Sequence, residues 1–303
     1  MNPSLLEGFC QDCRMRNIKN INTYKIYVRQ YLRLLASRSK EADNADKSDL
    51  MDFLSSLRQR GLKQASIEKA FTCLSSFYTY MVDEELISSN PIASFRRRYL
   101  RKYKDENTSD ARQIISVEQA SLLVNSTLNS RDKAVLVLLF KTGMRRNELC
   151  SLDVSDIDFK NMALKLKSTA KRSNRTLFFD GEAAYVLQAW LQFRKAKDRK
   201  GTLALFLGYN GGRISSKEIG HIVIKHASRV GLHNPGSKCL EDRFTPHCCR
   251  HWFTTHLIRA GMPRDFIKEL RGDSRHEAID IYNHIDKKEL RESYLAHIPQ
   301  LGI

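Results

Sequence analysis

Through the first hundred residues apolar side chains recur every three or four positions, the spacing of helices with one buried face. In NTYKIYVRQYLRLLAS (22–37), Tyr24, Ile26, Tyr27, Tyr31, Leu32, Leu34 and Leu35 fall on one stripe, with Asn22 or Thr23 as the cap. KSDLMDFLSSLRQRG (47–61) reads as a helix capped by Ser48 and closed by Gly61. KQASIEKAFTCLSSFYTYMVDEELI (63–87) gives a longer helical pattern, stopped by Asn90 and Pro91. The pattern predicts a small all-α bundle with basic outer faces.

The periodicity then fails. SFRRRYLRKYKDENTSDAR is dense in charge and almost free of aliphatic residues, so it reads as a basic linker, helical at its start and suited to lying on phosphates or in solvent. The expected division is a helical domain over 1–98, a linker over 99–113 and a second domain over 114–303. The second domain opens at SVEQASLLVNS, where Ser116 and Gln119 have capping-box spacing. A buried helix over 131–143 ends at Gly143, and a short helix follows in RRNELCS. ALKLKSTAKRSNRTLFF (163–179) alternates, breaks and resumes, the signature of a β-hairpin. Amphipathic helices are expected over 182–197 and 216–231, another from Thr245-Pro246 to Gly261, and two shorter ones before the tail. The fold class is therefore mainly α with a small antiparallel sheet.

Charge adds a partner class. Lys and Arg number 51 against 34 Asp and Glu, a net +17, with a pI near 9.6. Such an excess favours a polyanion, nucleic acid foremost. The longest apolar run, 134–140, is far short of a membrane span, and the start MNPSLLEGFC lacks a secretory pattern. Seven scattered cysteines argue for a reducing cytoplasm.

The densest chemistry is TPHCCRHWFTTHL (245–257). Thr245 and Pro246 suit a helix start, which places His247 and Arg250 on one face near the positive end of the helix, an arrangement that binds phosphate. His247 and His251 also have zinc-site spacing. Against zinc, position 248 is Cys and not the usual glutamate, and Cys248 and Cys249 are adjacent. Cys10 and Cys13 form a lone CxxC without a second pair. Upstream, KTGMRRNEL sets Arg145 after a Thr-Gly helix end with Glu148 three residues on.

Taken in order, these pieces resemble the tyrosine recombinase (phage integrase) family, over nearly the whole chain. They are Thr142-Gly143-Met144-Arg145 with Glu148-Leu149, the hairpin, His247-x-x-Arg250-His251, and Tyr282 nine residues after Asp273. The resemblance implies a helical core-binding domain and a catalytic domain that grip duplex DNA as a clamp. It further implies Xer-like or integrase activity through a 3′-phosphotyrosyl intermediate, with no metal and no other cofactor. Residue by residue it implies that Arg145 and Arg250 hold the scissile phosphate. It implies Tyr282 as the nucleophile, His247 as a base, and Glu148, His251 and Asp273 as supports. Lys171 is the general acid, with Lys167 as the second choice. The family's LGH segment reads Arg271-Gly272-Asp273 here, so a carboxylate replaces a histidine, and Arg275 or His276 are candidates for the missing donor. This variant resembles archaeal integrase-like members.

The expected assembly is a homotetramer on two duplexes, monomeric or dimeric off DNA, at the nucleoid of the cytoplasm. Leu290, Tyr294, Leu295, Ile298 and Leu301 give the tail an apolar face for docking on a neighbour or on its own domain. Tyr294 is a second, worse-spaced nucleophile. The competing readings are a catalytically silent DNA-binding protein on the same fold and a metal-dependent nuclease using His247, Cys248 and His251.

Overall fold

The structure is a computed structural model that describes residues 3–100, 113–167, 175–237, 239–273 and 285–303. The chain divides into two compact units, Met1–Thr108 and Ser109–Ile303.

The first unit is a bundle of α1 (Pro3–Met15), α2 (Ile21–Ala36), α3 (Lys47–Gln59), α4 (Gln64–Asp83) and α5 (Ile92–Tyr99). Aromatic residues fill its centre: Phe9, Tyr31, Phe53, Phe71, Phe77 and Tyr78 are all buried. Several local expectations need correction. Helix α2 starts after Asn20, whose side chain makes no capping hydrogen bond, and turns Val28, Tyr31, Leu32 and Leu35 inward, whereas Ile26 is exposed. The cap of α3 is Asp46 and not Ser48: the Asp46 carboxylate accepts from the amides of Ser48 and Asp49, which a neighbouring Ser cannot do for its own amide. Helix α4 ends at Asp83, well before Asn90-Pro91, and Glu85 takes a left-handed conformation just after it.

The start of the basic stretch belongs to the bundle. Ile92, Phe95 and Leu100 are buried, and Phe95 stacks on Phe71 at 5.2 Å, so α5 is a packed helix that carries Arg96, Arg97 and Arg98 in its last turn. The CxxC pair has an equally plain role. Cys10 and Cys13 lie one helical turn apart on the inner face of α1, and burial raises the Cys13 thiol to about 11.

The second unit is built around α7 (Ser130–Thr142), in which every residue from Ala134 to Thr142 is buried. Helices α9 (Gly181–Lys197) and α11 (Pro246–Arg259) pack against it. Ser116 and Gln119 form the expected capping box at the start of α6 (Val117–Asn125). The hairpin is present as β2 (Ala163–Lys165) and β3 (Thr176–Phe178), antiparallel in the register Leu164↔Leu177. A short β1 (Ile157–Asp158), in the extended exit from RRNELCSLDVSDIDF, pairs with β2 to complete the order β1-β2-β3. Among the described residues, no helix is long and apolar enough to cross a membrane.

Among the described residues, the remaining helices are α8 (Arg146–Ser151), α10 (Ser216–Arg229), α12 (Arg264–Arg271) and α13 (Lys287–His297). Of the two placements open to the tail, the structure takes its own domain. Leu290, Tyr294, Ile298 and Leu301 are buried in the second unit, and the Leu301 carbonyl accepts from Ser121 at 2.6 Å and from Asn125 at 3.1 Å.

Candidate active site

Three helix ends meet at the cleft. The first is the turn from α7 into α8. Helix α7 stops because Gly143 takes φ +57°, and a side chain there would run into the Phe253 ring. Thr142 Oγ1 then accepts from the Met144 amide at 3.3 Å, which closes the turn. Arg145 becomes the residue before α8, and the Glu148 carboxylate accepts from its backbone amide at 2.6 Å. This is the reciprocal half of a capping box; the other half is missing because a guanidinium cannot accept.

The second end is the first turn of α11, with Thr245 at the cap and Pro246 in the first helical position. Arg250 faces inward from that turn and is only 7 % exposed. His247 and His251 stand on the exposed side. Cys248 and Cys249 point into the core, with Cys248 Sγ 3.3 Å from the Thr245 amide. Burial pushes the Cys249 thiol well above its usual range. The cysteines that flank the histidines are therefore packing residues. Among the described residues, no three His, Cys, Asp or Glu side chains gather in a way that would hold a metal ion.

The third end is the C-terminus of α12, where Gly272 at φ +60° ends the helix and presents Asp273. The Arg271 carbonyl, at the negative end of the helix dipole, accepts from Arg250 Nη2 at 2.7 Å and from Arg145 Nη1 at 3.3 Å. One carbonyl thus holds two like-charged guanidiniums side by side. Arg250 Nη1 donates to the Gly143 carbonyl at 2.7 Å, so the left-handed turn that ends α7 also aims this arginine. Burial first, then the nearby Arg145 and Arg271 charges, lower the Arg250 pKa to about 10, which leaves it charged at neutral pH. A cation held dry between two others has a strong demand for an anion.

Behind the arginines lies Arg175, a residue the sequence reading did not single out. Its Nη2 donates to Glu148 Oε2 at 2.8 Å and its Nε to the Leu270 carbonyl at 3.1 Å, and its guanidinium sits directly beneath Gly272. Glu148 is therefore gripped from two sides. Burial alone would raise its pKa, but the hydrogen bonds and charges of Arg175 and Arg145 outweigh it and hold the carboxyl below its usual range. The available signal was an arginine at the entry to an apolar strand, in NRTLFF, where a solvated residue is the default expectation.

Arg145, His247 and Arg250 line two adjoining clefts. One adds Arg146, Asn147 and Pro246; the other adds His251, Thr254, Arg271 and Asp273. Lys167 is placed elsewhere. It lines neither cleft and is paired with Asp153, with Asp156 at 3.9 Å. Lys171 and Tyr282, with Arg275 and His276, lie outside the described residues.

Residues 108–289 match the phage integrase family, and residues 5–88 match its N-terminal SAM-like domain. The chain belongs to the phage integrase family. The tyrosine recombinase XerC of Bacillus subtilis (strain 168) is 29% identical over 266 residues, which cover 85% of this chain and 83% of that protein. Among solved structures, the Tn1549 transposon integrase in complex with a circular intermediate DNA superposes with a TM-score of 0.67 at 20% identity, covering 95% of this chain and 98% of that one. A lambda integrase dimer bound to a COC′ core site also gives 0.67, at 17% identity and covering 94% and 79%. The recombinase carries out site-specific DNA recombination of the tyrosine type. Its helical fold with one small antiparallel sheet is the fold of those integrases.

Gly143 ties the fold of the recombinase to its site. Gly143→Ala is expected to destabilise the second unit by roughly 2–3 kcal/mol, from the strained backbone and the clash with Phe253. Both tryptophans, Trp190 and Trp252, lie in this unit, so denaturant unfolding followed by their fluorescence reads that loss without contribution from the bundle.

Proposed function

We propose that Arg145 and Arg250 take the two non-bridging oxygens of a scissile phosphate in duplex DNA, with Tyr282 as the attacking group. The phenolic oxygen of Tyr282 forms a bond to phosphorus while the bond to the 5′-oxygen breaks, which leaves a 3′-phosphotyrosyl link. Lys171 gives its proton to the departing 5′-oxygen, and His247 takes the proton of the phenol. A 5′-hydroxyl from the partner duplex then reverses the same step, so bond energy is conserved and neither ATP nor a metal ion enters.

The observation that carries this reading is the pair of guanidiniums joined through the Arg271 carbonyl, with His247 on the rim of the same cleft. Fixed donors of this kind match the charge of a pentavalent phosphate better than that of the ground state. Glu148 and His251 act as supports, the first by orienting Arg145. Duplex DNA as substrate is supported by the net +17 and by integrases of the same fold solved on DNA. Exchange between two duplexes calls for four protomers, and a DNA substrate puts the enzyme at the nucleoid.

The test is a plasmid assay. Supercoiled plasmid incubated with the full chain in EDTA is expected to yield SDS-stable protein–DNA adducts. Arg250→Lys is expected to slow their formation about a hundredfold, roughly 3 kcal/mol of barrier. A lysine keeps the charge but cannot span the Gly143 and Arg271 carbonyls while also reaching a phosphate. Adducts that form at the wild-type rate in Arg250→Lys would remove the arginine clamp from the mechanism.

A further inference from the structure

Asp273 stands at the point where the outward donors of the arginine pair converge. Its Oδ1 lies 3.4 Å from Arg250 Nη2 and 3.7 Å from Arg145 Nη2, and its Oδ2 lies 2.8 Å from Arg271 Nε. The other terminal nitrogens are committed inward: Arg145 Nη1 to Glu148 and the Arg271 carbonyl, Arg250 Nη1 to the Gly143 carbonyl. Arg145 Nη2, and Arg250 Nη2 beyond its bond to the Arg271 carbonyl, are thus the donors that face Asp273 and would face a phosphate. One carboxylate oxygen, Oδ1, brings a negative charge to both, as a non-bridging oxygen of a phosphodiester would, while Oδ2 faces Arg271.

The backbone holds this arrangement while the side chain borders solvent. Gly272 is left-handed and the Asp273 amide donates to the Lys268 carbonyl at 3.2 Å, so the Asp273 backbone is anchored at the end of α12. The carboxylate itself is 33 % exposed, so it has water to turn into. Arg250, by contrast, is buried beside two other guanidiniums and needs a counter-charge when no DNA is present.

We infer that Asp273 is a resident counter-anion of the arginine pair, occupying the place of the scissile phosphate in the DNA-free enzyme and yielding it when DNA binds. The inference rests on the reading of the cleft as a phosphate site. It gives the carboxylate a function that a histidine there would not have. A stray phosphate must compete with a tethered anion, and only one delivered by an extended duplex contact displaces it. Asp273 is then a specificity device that acts on binding, set against cleavage of DNA lacking the full site.

Inorganic phosphate titrated calorimetrically into the full-length protein tests this directly. Asp273→Asn, which keeps the shape and loses the charge, is expected to bind phosphate about tenfold more tightly than wild type. The double variant Asp273→Asn/Arg145→Ala is expected to lose that gain. In the plasmid assay, Asp273→Asn should lower the DNA concentration that gives half-maximal adduct formation. Equal phosphate affinity in wild type and Asp273→Asn, with adducts still abolished by Arg145→Ala, overturns the inference and leaves the clamp standing. Adducts at the wild-type rate in Arg145→Ala overturn the clamp reading, and the inference with it.

Discussion

Tyr282→Phe is expected to remove every SDS-stable protein–DNA adduct, while Tyr294→Phe leaves them in place. The two tyrosines are twelve positions apart in sequence, and only Tyr294 is among the described residues. A nucleophile must reach phosphorus and release its proton, and Tyr294 can do neither. It is fully buried, and its hydroxyl donates to the Lys141 carbonyl at 2.8 Å. Burial, with Asp180 and Glu182 nearby, drives its pKa far above the usual phenol range. Its loss is a matter of stability, about 1–2 kcal/mol for a buried carbonyl left without its donor. Gel analysis of both variants beside wild type separates the two outcomes. Adducts that persist in Tyr282→Phe would move the covalent step away from the residue that the nine-residue spacing picks out.

The legible parts of this chain were those governed by short-range rules. Thr142-Gly143 ends a helix because only glycine tolerates φ +57° there, and Glu148 sits three residues after Arg145 because that is where a carboxylate reaches back to a helix's first amide. Ser116 with Gln119, and Thr245 with Pro246, mark helix starts for similar reasons. What the sequence did not disclose depends on distant partners. Arg175 and Arg271 look like surface charges until the chain folds. One then grips Glu148 from the position just before β3, and the other lends its backbone carbonyl to two arginines, each more than twenty positions away. The arginine-rich stretch was misleading at its start, where α5 packs, and the lone CxxC left its own role open. In both cases the inner face of a helix decided the matter. The tail's apolar stripe fitted two hosts equally well, and only tertiary geometry chose between them.

That tail is tied down by a buried cation, and its removal should have the largest effect on stability. Lys141 lies on the central helix α7 with no exposed surface, its Nζ 2.6 Å from Asp180 Oδ2, 2.6 Å from Glu182 Oε2 and 2.7 Å from the Pro299 carbonyl. Asp180 also caps α9 through the Ala183 amide, and Glu182 accepts from the amides of Leu301 and Ile303. One ammonium therefore joins the core helix, the start of α9 and the last residues of the chain. Lys141→Met fills a similar volume but strands two carboxylates in a dry site, at a cost of about 3–5 kcal/mol. Tryptophan fluorescence in a denaturant titration should show the second unit unfolding at much lower denaturant, with the bundle unchanged by circular dichroism. Lys141→Met/Asp180→Asn/Glu182→Gln, which removes the stranded charges as well, should recover part of the loss. If the single variant matched wild type, the ammonium would not be the tie that holds the tail. If the triple variant were no better than the single one, the cost would lie in lost hydrogen bonds and not in uncompensated charge.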